Sequence, residues 1–161
     1  MNLLQLIDIA EQFLQTAYQL QLDIPIERNN RLRTTQGRYV VKQDRTPVKI
    51  ELSGNTLDYG TEEAIIGVLK HECIHYALFE KQQPYRDGHP VFEAELKRHG
   101  VLGTGKVLIG KFHVLKCKNC GKTSLTSKKR TIAHPEDYRT VCCQSTFDIV
   151  DEQIYDGTNQ P

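Results

Sequence analysis

Residues 71–75 read HECIH, and a further histidine follows in the phrase DGHPVFEAEL. Two histidines at that spacing on a helix project from one face about a turn apart, so both imidazoles can reach one ion at about 2.0–2.1 Å. Glu72 lies one step round the helix from His71, where its carboxylate can reach a water on the metal without being a ligand. A catalytic zinc needs a third protein ligand and an open position for water. His89, at the start of the next helix, is expected to supply that ligand when the chain folds back. The pentapeptide alone also arises by chance, and most buried histidines are satisfied by hydrogen bonds. Its surroundings tip the balance, because two histidines and a glutamate in an otherwise apolar helix would be costly to bury without a role.

The elements that must position these residues are legible on either side of them. Thr61 offers an N-cap, Glu62 and Glu63 sit where the helix dipole favours negative charge, and AIIGVLKHECIHYALFE has the length of a helix of about five turns. It is apolar on most sides, so it is expected to be buried. The polar loop KQQPYRDG leads to His89, and Pro90 suits the first position of a second helix that carries Phe92 and Leu96 and stops at Gly100. Upstream, Leu3, Leu6, Ile7, Ala10, Leu14, Ala17 and Tyr18 recur at helical intervals, giving an amphipathic helix that ends before Pro25. Between Ile24 and Leu52, RLRTTQGRYVVKQ and PVKIELS read as two or three strands, antiparallel, with turn formers at Gly37, Asp44, Pro47 and Gly54.

RLRTTQGRY, LKHECIHYALFE and DGHPVFEAEL together resemble the SprT-like zinc metallopeptidases, over roughly residues 5–147. In that family an HExxH helix is followed by a Gly-His element before a short helix with an aromatic residue, and many members end in a zinc ribbon. The eukaryotic Spartan branch cleaves proteins crosslinked to DNA. The resemblance implies His71, His75 and His89 as zinc ligands and Glu72 as the catalytic residue. It also implies metal-assisted peptide hydrolysis: zinc lowers the pKa of bound water from about 15.7 toward about 7, and Glu72 takes the proton and passes it to the leaving amine. Tyr76, Tyr85 and Arg86 are nearby candidates for stabilising the oxyanion. Cys73 points away from the ligand face and is expected to pack as a small hydrophobe.

A second metal site is suggested by KCKNCGK, where Cys117 and Cys120 flank two residues and Gly121 follows. Such a knuckle lets both thiolates grip one ion at about 2.3 Å. The rival thioredoxin-like reading lacks the βαβ pattern that should accompany it. The family's ribbon would carry another Cys-x-x-Cys, but this chain has YRTVCCQSTF: Thr140 stands in place of the first cysteine, Cys143 fits the second, and Cys142 is extra. The fourth ligand beside Cys117, Cys120 and Cys143 is open between Cys142, His134, His113 and water, with Cys142 favoured. A ribbon that has lost its metal is the competing reading.

The bulk properties set limits on partners. The 161 residues, 39% hydrophobic, suffice for a real core without disulfide staples, and the five cysteines, four of them crowded together, fit metal binding better than a disulfide framework. The net charge of +1 does not mark the whole molecule as a nucleic-acid binder. Lys116, Lys118, Lys122, Lys128, Lys129 and Arg130 are a local basic set suited to phosphate contact, although Phe112, Tyr138 and Phe147 form no obvious stacking platform. Asp8 and Glu11 interrupt the apolar N-terminal stretch, which argues against a signal peptide or membrane span and for a cytoplasmic protein.

The expected fold class is α+β: an HExxH-helix metallopeptidase domain with a small antiparallel sheet over residues 1–105, then a basic zinc-ribbon-like β module over 106–150. The acidic stretch 151–161 is expected to form a flexible tail. The expected function is a zinc-dependent metalloendopeptidase acting on protein substrates, with DNA-associated proteins as the implied class. The alternative is a non-enzymatic DNA-binding protein with a structural metal site. The acidic neighbour Glu72 favours the first, because a purely structural site needs none.

Overall fold

The computed structural model describes residues 1–101 and 107–158. Its first helix, α1 (Leu3–Tyr18), starts at a capping box in which the Asn2 and Gln5 side chains each bond the other's main-chain N–H. Leu6, Ala10, Leu14 and Tyr18 form its buried stripe. Three strands follow, β1 (Ile26–Asn29), β2 (Gly37–Val41) and β3 (Pro47–Ser53), in the spatial order β1-β3-β2. The β2–β3 pair is an antiparallel hairpin, as its turn residues predict, and β1 joins the other edge of β3 in parallel. Central β3 is therefore the strand whose Ile50 and Leu52 are fully buried.

A short helix, α2 (Gly54–Tyr59), was not evident from the sequence; it is set by the Ser53 hydroxyl, which accepts from the Thr56 N–H. Helix α3 (Glu62–Glu80) begins at Thr61, whose hydroxyl accepts from the Ala64 N–H. Its run from His71 to Leu78 is buried, as the all-round apolar pattern predicts. Helix α4 (Pro90–Arg98) starts at His89 and buries Phe92 and Leu96. Side chains from α1, the first sheet, α3 and α4 share one core, which also takes in Ile109.

The second sheet is all antiparallel: β4 (Ile109–Cys117), β5 (Thr123–Thr126) and β6 (Phe147–Asp156) in the order β5-β4-β6. Between β5 and β6 lie a short helix, α5 (Lys129–Ala133), and a turn of 3₁₀ helix at Pro135–Asp137. Residues 151–156 of the acidic stretch lie in β6, where Asp156 pairs with Ile109 and its carbonyl accepts from the Thr61 N–H at 3.0 Å. The expected boundary at 105/106 and the last residues of the tail, 159–161, lie outside the described residues. The class is α+β, with an antiparallel hairpin in a mixed first sheet, an all-antiparallel second sheet, an HExxH helix and a ribbon-like β region.

Candidate metal centres

Helix α3 carries His71 and His75 on one face, and the structure brings their Nε2 atoms to 3.1 Å from each other. The third group in the cluster is Asp87: its Oδ1 lies 3.1 Å from His71 Nε2 and 3.6 Å from His75 Nε2. A tetrahedral ion with bonds of about 2.0–2.1 Å has ligand atoms about 3.3–3.4 Å apart. The three separations bracket that value, so this donor set fits zinc.

The three-histidine site expected from the sequence is thereby corrected: the cluster holds two histidines and one aspartate, and His89 is not in it. The reason is local. His89 is the N-cap of α4, and its Nδ1 accepts from the Val91 N–H at 3.2 Å, which turns the ring toward its own helix. Asp87, two residues earlier in the loop, is left to face α3. The signal for it was present as the acidic residue of DGHP, but nothing in the sequence says which side of that turn reaches inward.

The imidazoles are held from behind. His75 Nδ1 donates to the Tyr85 carbonyl oxygen, which fixes the tautomer and leaves the Nε2 lone pair aimed into the cluster. Burial holds the His75 pKa below its ordinary value, the Tyr85 carbonyl and Asp87 opposing, so the ring is kept in its neutral, ligating form. Phe92 of α4 stacks on the His75 ring at 4.1 Å between centroids and meets the His71 ring edge-on at 5.1 Å. α4 thus contributes packing to the site where the sequence reading had it contribute a ligand.

Glu72 is 3% exposed and lines the same cleft of about 450 Å³ as His71, His75, Tyr85, Arg86 and Asp87. Burial pushes its carboxyl up to about 8, the Asp87 carboxylate adds to this, and a hydrogen bond from the Tyr39 main-chain N–H opposes it. Of the oxyanion candidates, Tyr76 faces elsewhere: its hydroxyl donates to the Gln21 carbonyl at 3.0 Å and accepts from the Asp23 N–H. Tyr85 and Arg86 do line the cleft. Cys73 is fully buried and packs in the core. The Asp87 side chain is 69% exposed, so the cluster is reachable from solvent on that side.

The second cluster gathers Cys117, Cys120, Cys142 and Cys143, with their sulfur atoms all within 4.8 Å of one another. Cys117 ends β4 and Cys120 sits on the turn that follows, where Gly121 adopts φ 72°, a conformation that favours glycine. The adjacent pair comes from a tight loop in which the Gln144 N–H returns to the Thr140 carbonyl and the Thr140 N–H donates to Ser145. The Thr140 hydroxyl, 3.3 Å from Cys117 Sγ, and the N–H groups of Cys120 and Asn119 hold the Cys117 thiol well below its ordinary value. That favours the thiolate, the ligating form. Neither His134, 3.4 Å from Glu136, nor His113, 3.7 Å from Glu152, belongs to this cluster.

Comparison with known proteins gives a consistent answer. The model of the SprT-like family matches residues 3–105. A Bacillus cereus (strain ATCC 14579) protein named "Protein SprT-like" is 40% identical over 70 residues, covering 44% of this chain and 43% of that protein. Proteins of the same name from Anoxybacillus flavithermus and Bacillus velezensis are 36% identical over 96 residues and 32% identical over 123 residues. The first match covers 57% of this chain and 61% of the relative, the second 72% and 76%. The chain thus spans under half the length of the Bacillus cereus relative it matches. No solved structure matches it.

Proposed function

Because this chain belongs to the SprT-like family, a group that contains zinc-dependent metallopeptidases, we propose that it is a zinc-dependent metalloendopeptidase. The observation that carries the reading is the placing of a buried carboxylate, Glu72, beside a His71–His75–Asp87 cluster that opens on a cleft. Those three residues would hold the zinc. When bound, zinc supplies a Lewis acid that makes water more acidic and polarises a carbonyl oxygen. Glu72 takes a proton from the attacking water as its oxygen bonds to the peptide carbonyl carbon, and returns it to the amine as the C–N bond breaks. The main chain of β2 and the Tyr85–Asp87 segment form the walls that orient the substrate.

The Cys117, Cys120, Cys142 and Cys143 cluster holds a second, structural zinc in this reading, closed by four thiolates as structural sites are. The substrate is protein, and DNA-associated proteins are the class suggested by family resemblance and by the basic residues Lys122, Lys128, Lys129 and Arg130 of the turns and short helix that connect the second sheet's strands. The proposed site of action is the cytoplasm. No helix among the described residues is long and apolar enough to cross a membrane.

Cleavage of an unfolded protein, with and without DNA, by wild type and by Glu72→Gln tests the reading. Wild type should cleave and Glu72→Gln should not, with zinc content and thermal unfolding unchanged. Equal cleavage by both proteins would refute it. Zinc-loaded wild type that binds DNA and cleaves nothing would favour the non-enzymatic alternative.

A further inference from the structure

Strand β2 is the outer strand of its sheet, and its free edge runs along α3. The Ser53 N–H donates to the Gln36 carbonyl at 2.8 Å, so the alternation of an antiparallel pair turns Gln36 and Arg38 toward β3 and leaves Gly37 and Tyr39 facing outward. An outward N–H on an edge strand needs an acceptor. For Tyr39 that acceptor is the Glu72 carboxylate.

Such an approach leaves no space at residue 37. A Cβ built on Gly37 would stand 3.0 Å from Glu72 Cγ, 3.0 Å from Glu72 Oε1 and 2.8 Å from Val68 Cγ1. Gly37 is not among the residues with positive φ, so backbone conformation does not call for a glycine here; space does. Two of those neighbours belong to the side chain that the proposed chemistry uses.

We propose that Gly37 is a positioning residue: its missing side chain lets the Glu72 carboxylate lie against the outer edge of β2 and be held there by the Tyr39 N–H. The inference rests on the peptidase reading for the role of Glu72, but the contact it describes exists or fails independently of activity. A larger residue at 37 displaces the carboxylate from the main-chain donor that fixes it, while His71, His75 and Asp87, none of which supplies an atom nearest to that Cβ, keep their places.

Val68 is also crowded, so the test uses a Val68→Ala background that removes that neighbour. In ¹H–¹⁵N spectra of the zinc-loaded full chain, the Tyr39 amide proton should move upfield in Glu72→Ala, which removes the acceptor. It should move the same way in Gly37→Ala/Val68→Ala, relative to Val68→Ala. A Tyr39 amide that stays at its Val68→Ala position overturns the proposal. In cleavage, Gly37→Ala should lower kcat by roughly tenfold to a hundredfold, as small misplacements of reacting groups do, with KM within about twofold. In a Glu72→Asp background, whose shorter carboxylate frees the space, the same change should cost less than about twofold. An equal loss in both backgrounds, or full recovery of kcat in Gly37→Ala/Val68→Ala, overturns it by assigning the glycine to packing alone. Wild type that cleaves nothing sinks the peptidase reading, and the amide measurement then still decides the contact.

Discussion

The Nε2 atoms of His71 and His75 face each other 3.1 Å apart, and both turn toward Asp87. Two neutral imidazoles in that arrangement point nitrogen lone pairs at a shared volume, which is favourable when a cation occupies it, and a carboxylate on the third side adds the negative charge that a dication needs. Asp87→Ala should therefore weaken zinc binding by more than the 10–100-fold that loss of an outer partner typically costs. His89→Ala should keep the zinc and lose only the cap of α4, about 0.5–1 kcal/mol. Chelator competition and unfolding of the zinc-free proteins measure the two quantities. Zinc lost from His89→Ala but retained by Asp87→Ala would reverse the assignment.

At the other cluster Cys120 Sγ lies 3.5 Å from Cys142 Sγ, so the cysteine extra to the Cys-x-x-Cys pattern faces the knuckle. Cys142→Ser should lower bound zinc by about one equivalent and destabilise the β4–β6 sheet as a chelator destabilises it in wild type, since metal binding free energy is folding free energy in such modules. His134→Ala and His113→Ala should leave zinc content as it is. Zinc content that drops with His134→Ala and not with Cys142→Ser would make the histidine the fourth ligand.

How much of this was legible depended on whether local geometry alone decided it. HECIH was legible because helical spacing puts both imidazoles on one face whatever the rest of the fold does, and KCKNCG because a tight turn with a glycine does the same for two thiols. The choice between Asp87 and His89 was not legible: the two are separated by one residue in an irregular loop, and the His89 ring is drawn away by a cap on its own helix. The CC pair was ambiguous for the same reason, since only the Thr140–Ser145 loop makes both thiols converge. Gly37 read as a turn former. Its actual reason, the approach of β2 to Glu72, is a tertiary fact with no local signature. The parallel pairing of β1 with β3 belongs to the same category.

Phe92 is fully buried, and its ring is nearly parallel to that of His75, 15° between planes. Truncation to alanine should cost about 3–5 kcal/mol through the cavity it leaves. The more informative change is Phe92→Leu, which fills most of the volume and removes the flat face against His75. It should cost about 1–2 kcal/mol in urea unfolding of the zinc-free protein and weaken zinc binding severalfold, because the imidazole gains freedom it must lose on coordination. An unchanged zinc affinity with the same loss of stability would confine Phe92 to core packing.

Glu51 lies opposite Arg38 across the β2–β3 pair and is 3% exposed, with Arg38 Nε at 2.8 Å and Lys49 Nζ at 2.9 Å. Burial alone would raise its carboxyl; hydrogen bonds from Lys49, Asn29 and Arg38 overcome this and hold it below the ordinary value of 4.5. A folded-state pKa below the unfolded one means that the stabilisation is fully present above the ordinary value and is lost as pH falls through the folded value. Glu51→Gln should therefore be less stable than wild type at pH 7 by about 1–2 kcal/mol, the range for hydrogen bonds to a charged group reduced for the exposure of Arg38. That gap should stay constant down to about pH 5 and close below about pH 4. Urea unfolding of both zinc-free proteins across that range measures it, and protonation of the histidines cancels in the difference. A gap that persists unchanged to pH 2 would mean that the carboxylate charge contributes nothing, and that the strand carrying Gly37 is held to β3 by its ladder and packing alone.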